Sequence, residues 1–371
     1  MSRRVVVLGV GLHRFGHFPD LRVEDLVREA GLAALADAGI TYREVQAGFF
    51  ARVQNNAGVG TRCFGQLGMT GIPVTNVELA CASSSRGALL AADLISAGVY
   101  ECVMTIGVEK MQRGLVDSAT EKGYSAKMGL GVMPAIYALM ARRHMHLHGT
   151  KPEHFGMSAV KAHRNGTLNP FAQYQKETTL DEVMASRMIA DPITLFMCCP
   201  TSDGASATIL ASEELARKYT TNPVFVTGWA GGTPMYIGGE ADQAEGPTAV
   251  LARQAYAKAG LGPQDVDVVQ LHDAFSPGEI MTIEELGLCP EGEGGPFVFE
   301  GNTSLGGTIP VNTDGGLNSR GHPMGATGGA MLTELTRQLR GQAGPRQVEG
   351  AKVALLQNAG IGGMNVMVLT K

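Results

Sequence analysis

Apolar positions along the chain fall into a phrase that occurs twice. The run Val5 to Leu8 is continuously apolar, and the glycines Gly9 and Gly11 with His13 break it before it reaches the length of an export signal; no small-residue cleavage site follows, so it predicts a first buried strand. From Val23 to Ala38 the spacing of Leu26, Val27, Ala30, Ala33 and Ala34 predicts an amphipathic helix, with Gly39 as its C-cap. Glu44 and Val45 then lead into a short strand ending near Phe49 and Phe50. Downstream, Val250 to Ala259 reads as a helix, Gly260 caps it, and Asp265 to Val269 leads into a strand ending at His272. The pairs Ala38-Gly39 and Ala259-Gly260 stand 221 positions apart.

A second pair of segments follows the same rule. Val74 to Leu79 predicts a strand running into the small-residue helix start Cys81-Ala82-Ser83-Ser84-Ser85, and Ile309 to Asn312 predicts a strand ahead of the glycine-rich helix start at His322-Pro323-Met324-Gly325. Each half closes on a buried β-run, Cys102 to Ile106 and Val353 to Leu356. Strands alternating with helices predict an α/β fold with covered sheets. Residues 112–200 are rich in Met and helix signals and fit neither repeat, and they read as a cap over a site.

With 371 residues, the chain has room for two domains of ordinary size. Hydrophobic residues make up 44% and charged ones 18%, which excludes disordered and fibrous classes. A net charge of −5 excludes a bulk cationic field, so nucleic acid and anionic membrane surfaces are not expected partners. The six cysteines lack CxxC spacing, which predicts reduced thiols in a cytoplasmic compartment and no metal site. No apolar stretch is long enough for a membrane span, and the terminus Val368-Leu369-Thr370-Lys371 is not a peroxisomal address.

Four segments carry candidate chemistry. Cys81 sits where a strand turns directly into a helix among Ala, Ser and Gly. A thiol at a helix N-terminus is expected to have a lowered pKa and to serve as a nucleophile; the alternative is a buried structural cysteine. His322, between Gly321 and Pro323, is expected at a helix N-terminus, where it can donate to a developing oxyanion; a glycine-rich phosphate loop is the competing reading, and the spacing and Lys of a P-loop are absent. His272, at the end of a hydrophobic strand in Leu271-His272-Asp273-Ala274-Phe275, suits a general base, or a hydrogen-bonded half-buried histidine. Finally, Leu355-Leu356-Gln357-Asn358-Ala359-Gly360-Ile361-Gly362-Gly363 reads as a strand opening into a glycine turn that can present backbone N–H donors.

Together and in this order, the four segments resemble the thiolase superfamily, specifically the branch of sterol-carrier-protein-X and lipid-transfer-protein thiolases. The resemblance runs nearly the full chain, through Gln175 to Arg187 and Cys198-Cys199-Pro200-Thr201-Ser202-Asp203-Gly204-Ala205. It implies two similar βαβαβ halves in a five-layer αβαβα sandwich with an inserted loop domain. Those halves would be residues 1–205, including the insert at about 112–200, and residues 206–371. It further implies that Cys81 takes an acyl group from acyl-CoA, with His322 as activating histidine and part of one oxyanion hole. The Cys81 and Gly360 backbone N–H groups would form the other, supported by Asn358. Cys198 and Cys199 are then packing residues.

Two departures stand out. Ordinary thiolases use a second cysteine as acid and base near the C-terminal glycine loop, and sterol-carrier-X thiolases one within a His-Asp-Cys-Phe segment. Here those places hold Gln357-Asn358 and Ala274, and His272-Asp273-Ala274-Phe275 looks like the segment of archaeal acetoacetyl-CoA thiolases. A Cys81, His272 and His322 set remains, similar to that of ketoacyl synthases. Two histidines can activate a thiol and polarise a thioester carbonyl, and His272 would move the proton on the carbon α to the thioester. The leading expectation is a CoA-dependent acyltransferase making or cleaving a β-ketoacyl-CoA, with CoA thioesters as substrates and no tightly bound cofactor. The alternatives are a retro-aldol carbon–carbon lyase on a steroid-type acyl-CoA, in which Cys81 is idle, and a partner-dependent lipid-binding scaffold. The resemblance also implies a homodimer or a dimer of dimers and, in some relatives, a small OB-fold and zinc-ribbon partner.

Two other features have plain readings. His144 and His148 have metal-capable i, i+4 spacing, but the sequence supplies no adjacent Glu, so a basic helix C-terminus is preferred. The methionines from Met128 to Met145 suit core filling or, alternatively, an adaptable acyl pocket.

Overall fold

The computed structural model describes residues 3–54, 57–114, 127, 131–233 and 245–371. In chain order it begins with β1 (Val5–Leu12), α1 (Val23–Ala38), β2 (Ala47–Ala51), α2 (Val59–Phe64), β3 (Val74–Val77), α3 (Ser83–Ser96) and β4 (Cys102–Lys110). There follow α4 (Met133–His148), α5 (Pro152–Thr167), α6 (Leu180–Ala185) and the short strands β5 (Met188–Ala190) and β6 (Ile193–Thr194). Next come β7 (Asp203–Ser212), α7 (Glu213–Ala216), β8 (Val224–Gly232), α8 (Pro247–Ala259) and β9 (Val268–Gln270). The chain finishes with α9 (Pro277–Glu285), α10 (Gly294–Phe299), α11 (Thr327–Arg340), β10 (Val353–Gly360) and β11 (Gly363–Thr370).

These elements form two compact units, one of residues 1–110, 202–270 and 323–371, the other of residues 111–201 and 271–322. The first holds a mixed nine-stranded sheet in the order β3-β2-β4-β7-β1-β8-β11-β10-β9. Its pairing is symmetrical about the β1–β8 contact, where Val5, Val6 and Val7 face Val226, Phe225 and Val224. On one side β4 pairs parallel with β2 and antiparallel with β7; on the other, β10 pairs parallel with β9 and antiparallel with β11. Helix α1 lies on β1 and α8 on β8, whereas α3 and α11 pack on each other as well as on strands.

The sequence repeat is therefore a structural one. Glycine in β1 and β8 lets the covering helix approach: a Cβ at Gly9 would overlap the Ala34 carbonyl oxygen and come 2.6 Å from Ala38 Cβ, and one at Gly228 would meet the Ala255 oxygen and come 2.9 Å from Ala259 Cβ. Those alanines correspond between the two halves. Both covering helices end on a left-handed glycine, Gly39 at φ 67° and Gly260 at φ 69°.

Two predicted strands of the second half differ from the observed ones. The strand expected to reach His272 ends at Gln270, and Ile309 to Asn312 forms no named strand, only a bridge residue at Val311. The cause is Asn312, which has a left-handed backbone at φ 53°. Its Oδ1 accepts from the Leu271 N–H at 2.9 Å and its Nδ2 donates to the Leu271 carbonyl at 3.2 Å, so one side-chain amide makes the bonds a strand neighbour would have made.

The second unit contains α4, α5, α6, α9, α10 and the β5–β6 pair. It includes the described part of the insert; residues 115–126 and 128–130, and with them Met128, lie outside the described residues. Its interior is partly charged: buried Lys161 pairs with Glu279, which also accepts from Ser158, and Thr303 accepts from Lys161 at 3.2 Å. Among the described residues, no helix is long and apolar enough to cross a membrane.

Candidate active site

Cys81 lies within a 3₁₀ turn, Ala80–Ala82, between β3 and α3. The strand ends at Val77, two residues earlier than the sequence suggests, because the chain must tighten before the helix. Ala80 has φ 44°, a left-handed conformation that costs a residue with a Cβ about 1–2 kcal/mol. Surrounding bonds hold this strain. Ser83 Oγ donates to the Ala80 carbonyl at 2.6 Å and accepts from the Leu79 N–H at 2.9 Å, and Glu78 accepts from the Ala80 N–H at 2.6 Å. Strained backbone of this kind is held only where its surroundings over-determine it, and it gathers at functional sites.

The hairpin β10–β11 closes on the same turn. A Cβ at Gly360 would overlap the Leu79 carbonyl oxygen and lie 3.0 Å from Ala82 N and 3.2 Å from Cys81 N, so only glycine fits there. Asn358, two residues earlier, is fully buried, with its Oδ1 2.8 Å from Ser85 Oγ. Cys81, Gly360 and Asn358 are thus brought together.

The shift of the half-buried Cys81 thiol runs opposite to the lowering expected of a helix start. Burial pushes Cys81 up to about 12, with the nearby carboxylates of Glu109 and Glu78 adding to the rise against a lowering backbone hydrogen bond. Desolvation of the thiolate exceeds what the helix start returns. Glu109 is itself buried, accepting from the Val53 N–H at 2.9 Å and from Arg52 Nε at 3.4 Å.

In the second unit the structure brings His272 and His322 together. Their ring centroids are 5.2 Å apart at an interplanar angle of 77°, and both side chains are buried. Burial, with Arg320 adding, lowers His272 to about 3; burial, His272 and Arg320 hold His322 well below the ordinary range. Both imidazoles are therefore held in the neutral form, each ring with one N–H donor and one acceptor nitrogen. His322 is not at the first turn of a long helix as expected: a 3₁₀ turn, Met324–Ala326, intervenes before α11.

Residues that the sequence reading did not assign hold this pair. Asp273 accepts the Leu317 N–H at 2.8 Å, tying the His272 segment to the turn Gly316–Arg320 that runs into His322. Burial raises Asp273 to about 6. Arg320, fully buried, pairs with Asp314. The strap Met197–Cys199 pairs with the other side of the loop, Cys199 N–H donating to the Ala274 carbonyl and Ser276 N–H to the Met197 carbonyl, each at 2.9 Å. Asn312 and Asp273 were detectable only as turn-forming residues; their partners are 41 and 44 positions away.

His144 also departs from its expected setting. Its Nδ1 lies 2.8 Å from Thr150 Oγ1 and its Nε2 3.0 Å from Glu284, so a distant Glu that the sequence spacing could not reveal occupies the ring. Met140 of the methionine stretch is exposed.

A strand-turn-helix cysteine beneath a glycine hairpin, on an α/β sheet with internal two-fold pairing, is an arrangement that can support acyl transfer. Comparison with known proteins is specific. The family descriptions "Thiolase, N-terminal domain" and "Thiolase C-terminal domain-like" match residues 5–214 and 234–370. Sterol carrier protein 2 of Homo sapiens is 43% identical over 393 aligned positions, covering 100% of this chain and 72% of that protein. The acetyl-CoA acetyltransferase of Methanothermobacter thermautotrophicus is 39% identical, covering 96% of each. Among solved structures, an "Ltp2-ChsH2(DUF35) aldolase" superposes with a TM-score of 0.88 at 27% identity, covering 100% of this chain and 98% of that one. The chain belongs to the thiolase family of acyltransferase enzymes.

Proposed function

We propose that this enzyme forms or cleaves a β-ketoacyl-CoA through an acyl group carried on Cys81, with CoA thioesters as its substrates. The observation that carries this reading is the seating of Gly360 against the Cys81 turn, which leaves two backbone segments where an oxyanion would need donors. Chain connectivity supports it further. The turn Met324–Ala326 packs on Ala80–Ala82, and His322 is bonded directly to Pro323; β9 runs beside β10, and His272 follows β9 by two residues.

In the cleavage direction a neutral histidine, His322, takes the Cys81 proton. The thiolate attacks the β-carbonyl carbon, and the Cys81 and Gly360 N–H groups receive the oxyanion. The Cα–Cβ bond breaks, leaving an acyl-Cys81 thioester and an acyl-CoA enolate; the proton that His322 took from Cys81 passes to His272 and from it to the enolate carbon, so both imidazoles end neutral. Attack of CoA thiol on the thioester then releases the shortened acyl-CoA and regenerates the Cys81 thiol. With the thiol raised and both histidines depressed, the resting residues are neutral, and charge develops only as substrate reacts.

Likeness to a solved aldolase favours one second reading: retro-aldol cleavage of a β-hydroxyacyl-CoA, in which a base takes the hydroxyl proton and Cys81 forms no bond. A homodimer or dimer of dimers, a cytoplasmic location and a small OB-fold partner belong to the same proposal, the last supported by the DUF35 component in that structure's title. The test is intact-protein mass spectrometry after incubation with acetyl-CoA and longer acyl-CoAs, for wild type and Cys81→Ala. An added acyl mass that the variant lacks supports acyl transfer. No adduct from any acyl-CoA overturns it in favour of the aldol reading.

A further inference from the structure

The place where related thiolases are expected to carry a second cysteine is occupied by an amide bonded into the nucleophile's helix. Asn358 of β10 and Asn365 of β11 are cross-strand partners in the hairpin that carries Gly360. Both reach the same hydroxyl: Ser85 Oγ lies 2.8 Å from Asn358 Oδ1 and accepts from Asn365 Nδ2 at 2.9 Å. Asn365 Nδ2 also donates to the Ala82 carbonyl at 3.2 Å, and Ser85 Oγ stands 2.9 Å from that same oxygen. All three side chains are buried, none more than 1% exposed. Asn365 Oδ1 has no hydrogen-bond partner, so this amide is held through its NH₂ side alone. Space for the cluster is made by Gly328, where a Cβ would fall 2.5 Å from Ser85 N and 2.6 Å from Asn358 Oδ1.

We infer that Ser85 and Asn365, with Asn358, are positioning residues that lock the Cys81 turn to the Gly360 hairpin and so set the spacing of the two N–H groups that receive the oxyanion. The Ala82 carbonyl belongs to the residue after Cys81, and Gly360 follows Asn358 by two, so both segments are pinned through one hydroxyl within a few bonds of the groups that matter. A network fully inside low-dielectric surroundings resists displacement, because each broken bond strands a buried polar group. On this assignment, the exchange of an acid-base cysteine for Asn358 gives up a proton carrier and gains a clamp.

The inference rests on the acyl-Cys81 reading, and the experiment separates the two. Two rates are compared in the full-length protein: alkylation of Cys81 by iodoacetamide, which builds no oxyanion, and acylation by acetyl-CoA, which does. In Ser85→Ala and Asn365→Ala, acylation is expected to fall by about 10- to 100-fold, less than the 10²–10³ lost with a whole oxyanion donor. Alkylation is expected to stay within about two-fold, and the double variant to be little worse than either single one, as for residues acting as one unit. Asn358→Ala gives a third independent probe if either variant fails to fold. Equal falls in both rates, or no fall in acylation, overturn the positioning role while leaving acyl transfer standing. A wild type that takes no acyl group removes the acyl-transfer reading and this inference with it.

Discussion

The two halves of the sheet unit use one phrase for two purposes. In the first, β3 pairs with β2, passes into the turn Ala80–Ala82 and enters a helix of 14 residues; in the second, the turn Met324–Ala326 enters another helix of 14 residues, but no strand leads to it. The segment that would have been that strand belongs instead to the second unit, where Asn312 bonds the Leu271 backbone and Asp273 bonds Leu317. A strand ladder fixes one residue very firmly and suits a side chain held on a strained turn. A loop held by side chains can instead bury two neutral imidazoles 5.2 Å apart, which the regular alternation of a strand would not deliver. The two halves thus share a scaffold, and in the second the segment before the helix is held by side-chain bonds instead of a strand ladder.

Removing chemistry from the loop breaks this comparison most severely. His322→Ala is expected to slow acylation of Cys81 by about 10²- to 10⁴-fold, the usual worth of a general acid-base group, while the melting temperature is kept. Stopped-flow or mass-resolved acylation kinetics check it; a loss under three-fold would mean the second copy's loop does not serve the thiol.

Next in size is the substitute for the missing strand. Asn312→Ala leaves the Leu271 N–H and carbonyl without their partner and places alanine at φ 53°, so a loss of about 2–4 kcal/mol in unfolding free energy is expected. Urea denaturation measures it, and a loss below about 1 kcal/mol would show that the loop is held elsewhere.

The pH dependence of stability sharpens the same contrast. His272 is lowered to about 3 from an ordinary 6.5, so the unfolded chain binds the extra proton between those values. Its contribution is whole above pH 6.5 and is lost as the pH falls towards 3. Asp273, raised to about 6, acts in the opposite sense: its contribution is present below its unfolded value of 3.8 and is lost as the pH rises through 6. Melting temperatures of wild type and His272→Asn between pH 7 and 4 should therefore converge towards acid, the variant falling less steeply. Parallel curves would contradict the neutral-imidazole assignment.

The smallest effect tests what the halves share. Gly39→Ala and Gly260→Ala each force a Cβ into a left-handed cap with open space around it, so both should cost about 1–2 kcal/mol, and nearly the same amount. Values differing by more than that would show that the caps, too, have diverged.

Sequence by itself determined the elements whose information is local. The helical spacing of Val23–Ala38, its glycine cap and its echo 221 positions later came from periodicity, because a buried helix face must repeat every three to four residues. Cys81 before a small-residue helix start, His272 and His322 were legible as chemical types in unusual surroundings. What those surroundings do to them was not. The thiol was expected to be acidic from its helix position, yet burial, a property of residues far away in the chain, raises it to about 12. The same holds for Asn312, which cancelled a predicted strand, for Glu284 on His144, and for the pairing of Asn358 with Ser85, 273 positions apart. Periodicity and caps are written in neighbouring residues and survive without the rest of the molecule. Desolvation, side-chain bonds that replace backbone ones and the spacing of two N–H groups exist only when distant segments meet, so only the tertiary structure decides them.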